Sequence, residues 1–174
     1  EYYYAGIKLD NRKNITIKNI NVQGFGHAIY LYYSSDSTVL GNNVTNNGEG
    51  IYVCRSTNNI LLGNNITNNH GGGISLLWSS NNVLRSNIMV NNYRNLWVDG
   101  SMLLDFIQDI DVSNTIDGKP IYYLVNLQDE EVPPNAGYVA LINCTDITVK
   151  NLSIDGVPIL LFYTKNYSRL SYLS

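Results

Sequence analysis

Charge is in short supply in this sequence. Charged residues make up 14% of the 174, with 11 Lys and Arg against 14 Asp and Glu and a net charge of −3. A soluble domain usually carries about 25%. The few basic side chains are scattered, and no stripe of them exists that would track a nucleic-acid backbone, which excludes that partner. Long apolar runs are missing too. The longest, Val157 to Tyr163, is interrupted by Pro158. It suits a buried strand and falls short of a membrane span. Histidine, cysteine and methionine occur twice each, so ligands for a soft metal are few. No leader-type segment is visible at Glu1. The chain opens in a strand-like Tyr2-Tyr3-Tyr4 and reads as one domain, residues 1–174, cut from a longer protein.

What is plentiful is Asn, with 26 residues, and Tyr, with 14. Asn is poor in helix interiors because its amide competes for backbone hydrogen bonds. Its placement is regular. Ala28-Ile29-Tyr30-Leu31, Gly50-Ile51-Tyr52-Val53 and Gly73-Ile74-Ser75-Leu76 each open a unit that closes on an Asn-rich segment ending at Asn47, Asn69 and Asn92. The markers Ile29, Ile51, Ile74 and Leu96 are spaced 22, 23 and 22 apart, and Gly6-Ile7-Lys8-Leu9 extends the series backwards by 22. Tyr138-Val139-Ala140-Leu141 and Pro158-Ile159-Leu160-Leu161 resume it. Within a unit the apolar period is two, the mark of a strand. Such short strands cannot bury their own apolar faces, but stacked copies can.

The expected fold is therefore all-β: a right-handed parallel β-helix, a solenoid with coils of about 22 residues. Regular coils span 5–98 and 138–174, with an irregular stretch between. Three interior ladders are expected. The first holds Ile7, Ile29, Ile51, Ile74, Leu96, Val139 and Ile159, the second Ile15, Thr38, Ile60, Val83 and Ile147, and the third Val22, Val44, Ile66, Met89 and Ile154. Asn42, Asn64 and Asn87 should stack as an amide ladder. Cys54 and Cys144 fall about four coils apart, beyond disulfide reach at about 4.8 Å of rise per coil. A leucine-rich repeat would need Leu at the framework positions, and a left-handed β-helix would need a hexapeptide rhythm.

The rhythm breaks over 99–137. Asp105, Asp109, Asp111 and Asp117 punctuate a degenerate coil, Asp117-Gly118-Lys119-Pro120 is a turn signal, and Gln128–Asn135 reads as an exposed acidic loop.

The Gly-Ile-Tyr-Val … Ser-Thr-Asn-Asn-Ile-Leu-Leu-Gly-Asn-Asn-Ile-Thr-Asn-Asn pattern resembles the parallel β-helix repeats of NosD-like proteins. Asn114–Tyr123 and Ala136–Thr145 are similar to segments of archaeal surface proteins of that group. The resemblance covers nearly the whole chain and rests on framework and turn residues. It implies secreted, periplasmic or cell-surface residence. The namesake is a copper-associated maturation factor for nitrous oxide reductase, and the wider pectate-lyase-like clan includes carbohydrate-binding proteins and polysaccharide-active enzymes. No catalytic motif of those enzymes carries over position by position.

Three chemistries have candidate residues. Tyr30, Tyr52, Ser75 and Trp97 occupy one outward position in successive coils, and an aromatic strip of that kind can stack on sugar rings. Asp109 and Asp111 share a face if extended and, with Asp117, are the acids a polysaccharide lyase, hydrolase or epimerase would need. Lys119 and Arg94 are the nearby bases. Asp105, Asp109 and Asp111 are also the carboxylates a Ca²⁺ ion would use, the one cofactor this composition suits. For copper, His27, His70, Met89, Met102, Cys54 and Cys144 show no ligand-pair spacing. Asn14, Asn43, Asn65, Asn143, Asn151 and Asn166 head glycosylation sequons. The expectation is a non-catalytic extracytoplasmic module, structural or binding a polysaccharide or cell-surface protein, with exposed strand edges that favour end-to-end association.

Overall fold

A computed structural model describes residues 4–152, 159–163 and 169–171. The chain winds as a parallel β-solenoid with three faces. Face one stacks Ala5–Asp10, His27–Tyr32, Glu49–Cys54, Gly72–Leu77 and Arg94–Asp99, all parallel. Face two stacks Thr16–Lys18, Thr38–Leu40, Ile60–Leu62, Val83–Arg85 and Asp109–Ile110. Face three stacks Asn21–Val22, Asn43–Thr45, Asn65–Thr67, Ile88–Val90 and Thr115–Ile116. Each coil contributes one strand to each face, so no strand is buried until its neighbours are stacked on it.

Ladder one forms in register from Ile7 through Ile29, Ile51 and Ile74 to Leu96. Ladder three runs Val22, Val44, Ile66, Met89 and then Ile116; Ile154 lies outside the described residues. Ladder two is corrected by one residue at Thr38, Ile60 and Val83 and by two at Ile15, and Ile147 belongs to a separate core. The buried side chains are Ile17, Val39, Leu61, Leu84 and Ile110, whereas Ile15 is 37% and Ile60 40% exposed. A shift of one along a strand exchanges its two faces. Here the inward phase is carried on by the buried Ser37, Asn59 and Asn82, two residues before the core side chain of each coil.

The polar interior is also laddered. Asn42 donates its amide to Asn64 at 2.9 Å, Asn64 to Asn87 at 2.9 Å and Asn87 to Asn114 at 2.8 Å. Each also donates to a coil carbonyl, Asn64 to Val39 at 2.9 Å, and accepts the backbone N–H one coil back. A second ladder, Asn47, Asn69 and Asn92, closes on Asn95. A third runs Asn59, Asn82 and Gln108. These amides are buried and saturated, so their burial leaves no unpaired polar group.

Beyond Asp99 the coil is interrupted by a 3₁₀ turn, Leu103–Phe106, and the chain then doubles back. Thr115–Ile116 pairs antiparallel with the start of Lys119–Val125 across Asp117-Gly118, whose φ values are +48° and +79°. Lys119–Val125 then pairs in parallel with Tyr138–Ile142, and that with Leu160–Phe162. Val139 is therefore beside Tyr122 and not above Leu96, which removes Val139 and Ile159 from ladder one. Tyr138–Ile142 is buried on both sides. Tyr138, Ala140 and Ile142 join the core of the regular coils, while Val139 and Leu141 join a second core with Val132, Cys144, Ile147 and Val149. A strand covered on both faces reads as a continuous apolar run. The expected acidic loop is also corrected. Gln128 bridges Thr145, and Glu131–Val132 pairs with Thr148–Val149, so Asp129, Glu130 and Glu131 are outward residues of a short coil. Cys54 and Cys144 are buried and unbonded, Cys144 in the second core and Cys54 on the outward phase of face one.

Candidate functional site

Face one carries the candidate chemistry on six-residue strands, which leave surface positions both at their first residue and three residues later. Two outward columns run along it. One reads Ala5, His27, Glu49, Gly72 and Arg94, and the other Lys8, Tyr30, Tyr52, Ser75 and Trp97. Both columns are interrupted in the fourth coil, where Gly72 and Ser75 stand between large side chains. The result is a depression of about 390 Å³, within the usual range for ligand pockets. Glu49 and Tyr52 wall it on one side, Tyr93, Arg94 and Trp97 on the other, and Gly71, Gly72 and Ser75 form the floor. Glu49 accepts the Gly72 N–H at 2.8 Å and the Ser75 hydroxyl at 3.1 Å. Arg94 lies over the Trp97 ring, 4.2 Å from its centroid. A second, glycine-lined hollow of about 530 Å³ adjoins it through Glu49 and Gly71 and has His70 at its edge.

Toward the first coils the strip is closely packed. The Tyr30 and Tyr52 rings are 5.2 Å apart and edge to face at 78°, and His27 stacks on Tyr30 at 5.2 Å. Burial pushes the Tyr30 phenol up to about 12, with Cys54 and neighbouring groups adding to it. Burial also raises the Tyr52 phenol. Burial lowers the His27 imidazole against the opposing pull of Glu49.

The other candidates lie elsewhere. Asp109 and Asp111 flank the inward Ile110 on face two, and both close on Arg85, at 2.5 and 3.1 Å. Asp117 accepts the Asn91 N–H and the Asn95 amide, each at 3.0 Å. Asp105 accepts the Ser101 and Met102 N–H groups at 2.8 and 3.0 Å, within its own 3₁₀ turn. Lys119 is exposed at the hairpin. Among the described residues no three His, Cys, Asp or Glu side chains gather into a metal-holding group. Of the sequons, Asn14, Asn65 and Asn151 are exposed, while Asn43 and Asn143 are half-buried and accept or donate amide bonds to Asn65 and Asn126; Asn166 lies outside the described residues.

Sequence reasoning placed Tyr30, Tyr52, Ser75 and Trp97 in their true register but missed Glu49 and Tyr93 and did not assign Arg94 to this face. The signal was available: coil four replaces a large residue with a small one in two columns at once.

The fold and this face define a parallel β-solenoid with a ligand-sized hollow on its first five-stranded sheet. The chain belongs to the family described as periplasmic copper-binding protein (NosD), whose model matches residues 1–119. No curated protein and no solved structure matches it. It is an extracytoplasmic β-helix module of that family, and among the described residues no helix is long and apolar enough to cross a membrane. The copper in the family's description does not fit the donors here. Met89 is fully buried in a core ladder, and Cys144 is fully buried in the second core with its thiol directed at the Leu124 and Ile142 carbonyls, at 3.3 and 3.4 Å. Burial raises the Cys54 thiol, which disfavours the thiolate a metal needs. His27 is stacked among tyrosines, and His70 and Met102 are exposed on separate segments.

Proposed function

We propose that this chain is a non-catalytic binding module that takes a neutral saccharide in the coil-four depression. The observation that carries the reading is the paired loss of bulk at Gly72 and Ser75 between Tyr52 and Trp97. Two coils separate those rings, about 9.6 Å at 4.8 Å per coil, which leaves room for one ring between them. Glu49 and Arg94 offer an acceptor and a donor to sugar hydroxyls, while the Glu49 carboxylate disfavours an anion. The acids a catalytic site would need do not converge: Asp109 and Asp111 both pair with Arg85, and Asp117 and Asp105 are engaged elsewhere. This favours binding over bond cleavage.

The test is calorimetric titration with neutral oligosaccharides of differing linkage, followed by reducing-end analysis. Saturable binding lost in Trp97→Ala, with no new reducing ends, is the expected result. Release of reducing ends would replace the binding module with an enzyme, and binding unchanged in Trp97→Ala would move the site off this face.

A further inference from the structure

The corner between faces one and two carries a second, different surface. Asn11, Tyr33, Arg55 and Trp78 follow one another there, one per coil, each donating its N–H to the coil above: Tyr33 to the Cys54 carbonyl, Arg55 to Leu77 and Trp78 to Asp99. All three non-Asn residues sit at left-handed φ, +45°, +49° and +48°. At the other positive-φ positions of the described residues, Ser86 and Tyr163 aside, the residue is Asn, Asp or Gly. Bulky side chains are strained in this conformation, and strained residues gather where function holds them. Burial does not explain them, since Tyr33 and Trp78 are each 47% exposed. Arg55 spans the two rings, 5.5 Å from the Tyr33 centroid and 5.8 Å from that of Trp78, and donates to the Tyr33 hydroxyl.

Charge indicates what this surface meets. Among the described residues Arg55 has no carboxylate partner. The exposed Arg12 and Lys13 stand at the same corner in the first coil, two coils from Arg55, aligned with Ser34 and Ser35; the exposed acids there are Asp10, which pairs with Lys8, Asp36, and Asp99 beside Trp78. Arg55 is thus a cation held without a carboxylate between two exposed rings. We propose that it is a second binding site, for a carboxylate-bearing polysaccharide lying along the solenoid axis. Tyr33 and Trp78 stack on sugar rings two coils apart, and the planar Arg55 fork between them pairs with a carboxylate, the geometry arginine matches best. A rise of about 4.8 Å per coil suits an extended pyranose chain.

The chain has two tryptophans, Trp78 at this corner and Trp97 in the coil-four depression, so each site has its own fluorophore. Trp97→Phe leaves Trp78 as sole reporter, and Trp78→Phe leaves Trp97. Oligomers of polygalacturonate are titrated into each, with the fully methyl-esterified oligomers as the uncharged match. The expected result is a saturable change at Trp78 with the acid form and little with the ester. Arg55→Ala should weaken binding about ten- to hundredfold, and Arg55→Lys less. Far-ultraviolet circular dichroism checks that each variant folds. Tyr33→Asn, a residue this backbone accepts readily, gives a second disruption free of folding loss and should weaken binding about tenfold. Equal response to acid and ester, a response at Trp97 alone, or none at either tryptophan would each overturn the proposal.

Discussion

Two corners of the same coils use the same left-handed backbone in opposite ways. At the corners leading into and out of face three, Asn, Gly and in coil four Ser86 occupy the strained positions, and in coils two to four a buried Asn follows each and bonds onward to the next amide of its ladder. At the corner after face one, a Tyr, an Arg and a Trp occupy the equivalent conformation, half in solvent. The first arrangement is what stacking requires. The second adds nothing to stacking and works against local backbone preference. In a solenoid, where each unit repeats the demands of the last, departures from the cheapest residue stand out, and on this chain they fall on the surface next to the coil-four depression.

Breaking the interior side of that contrast has the largest consequence. Asn64→Ala removes the acceptor for the Asn42 backbone and amide and leaves buried groups unpaired. Urea unfolding should show a loss of about 3 kcal/mol or more. Leu61→Ala should cost about 3 kcal/mol through an interior cavity, while the neighbouring Ile60→Ala, on the outward side, should cost less than about 1 kcal/mol. Equal losses would put the face-two phase in doubt. At the strained corner the sign reverses. Trp78→Asn should raise stability by about 1 kcal/mol, because Asn adopts the left-handed region with less strain.

The smallest effect is that of pH on His27. Burial holds its folded pKa below the unfolded value of 6.5. Its contribution is therefore full above pH 6.5 and declines as pH falls toward the folded value, since the unfolded chain binds the proton more readily. Thermal melts from pH 8 to 5 should show a gentle loss that His27→Gln removes.

Much of this was legible in the residues. The Ile-x-Leu pairs of face one announce their own phase, and Tyr30, Tyr52 and Trp97 follow from it. Face two was misread because Ile60-Leu61-Leu62 is apolar at three successive positions, so alternation alone cannot choose the inward one. The polar ladder through Asn59 and Asn82 makes the choice. Tyr138–Ile142 resembled another outer coil because its apolar run hides a strand buried on both faces by the hairpin at Gly118. The depression was hidden because Glu49, Gly72 and Arg94 share the phase of the inward Ile51, Ile74 and Leu96, so alternation alone points them into the core. The strained corner depends on φ, which no pattern of residue types displays.

The central claim is that the missing bulk in coil four makes the site. Ser75→Tyr would restore the aromatic column that Ser75 interrupts between Tyr52 and Trp97, and its saccharide isotherm tests the claim most directly. The account predicts a folded protein, with native circular dichroism, whose binding is abolished because the depression is filled. Binding undiminished in a folded Ser75→Tyr protein would contradict it.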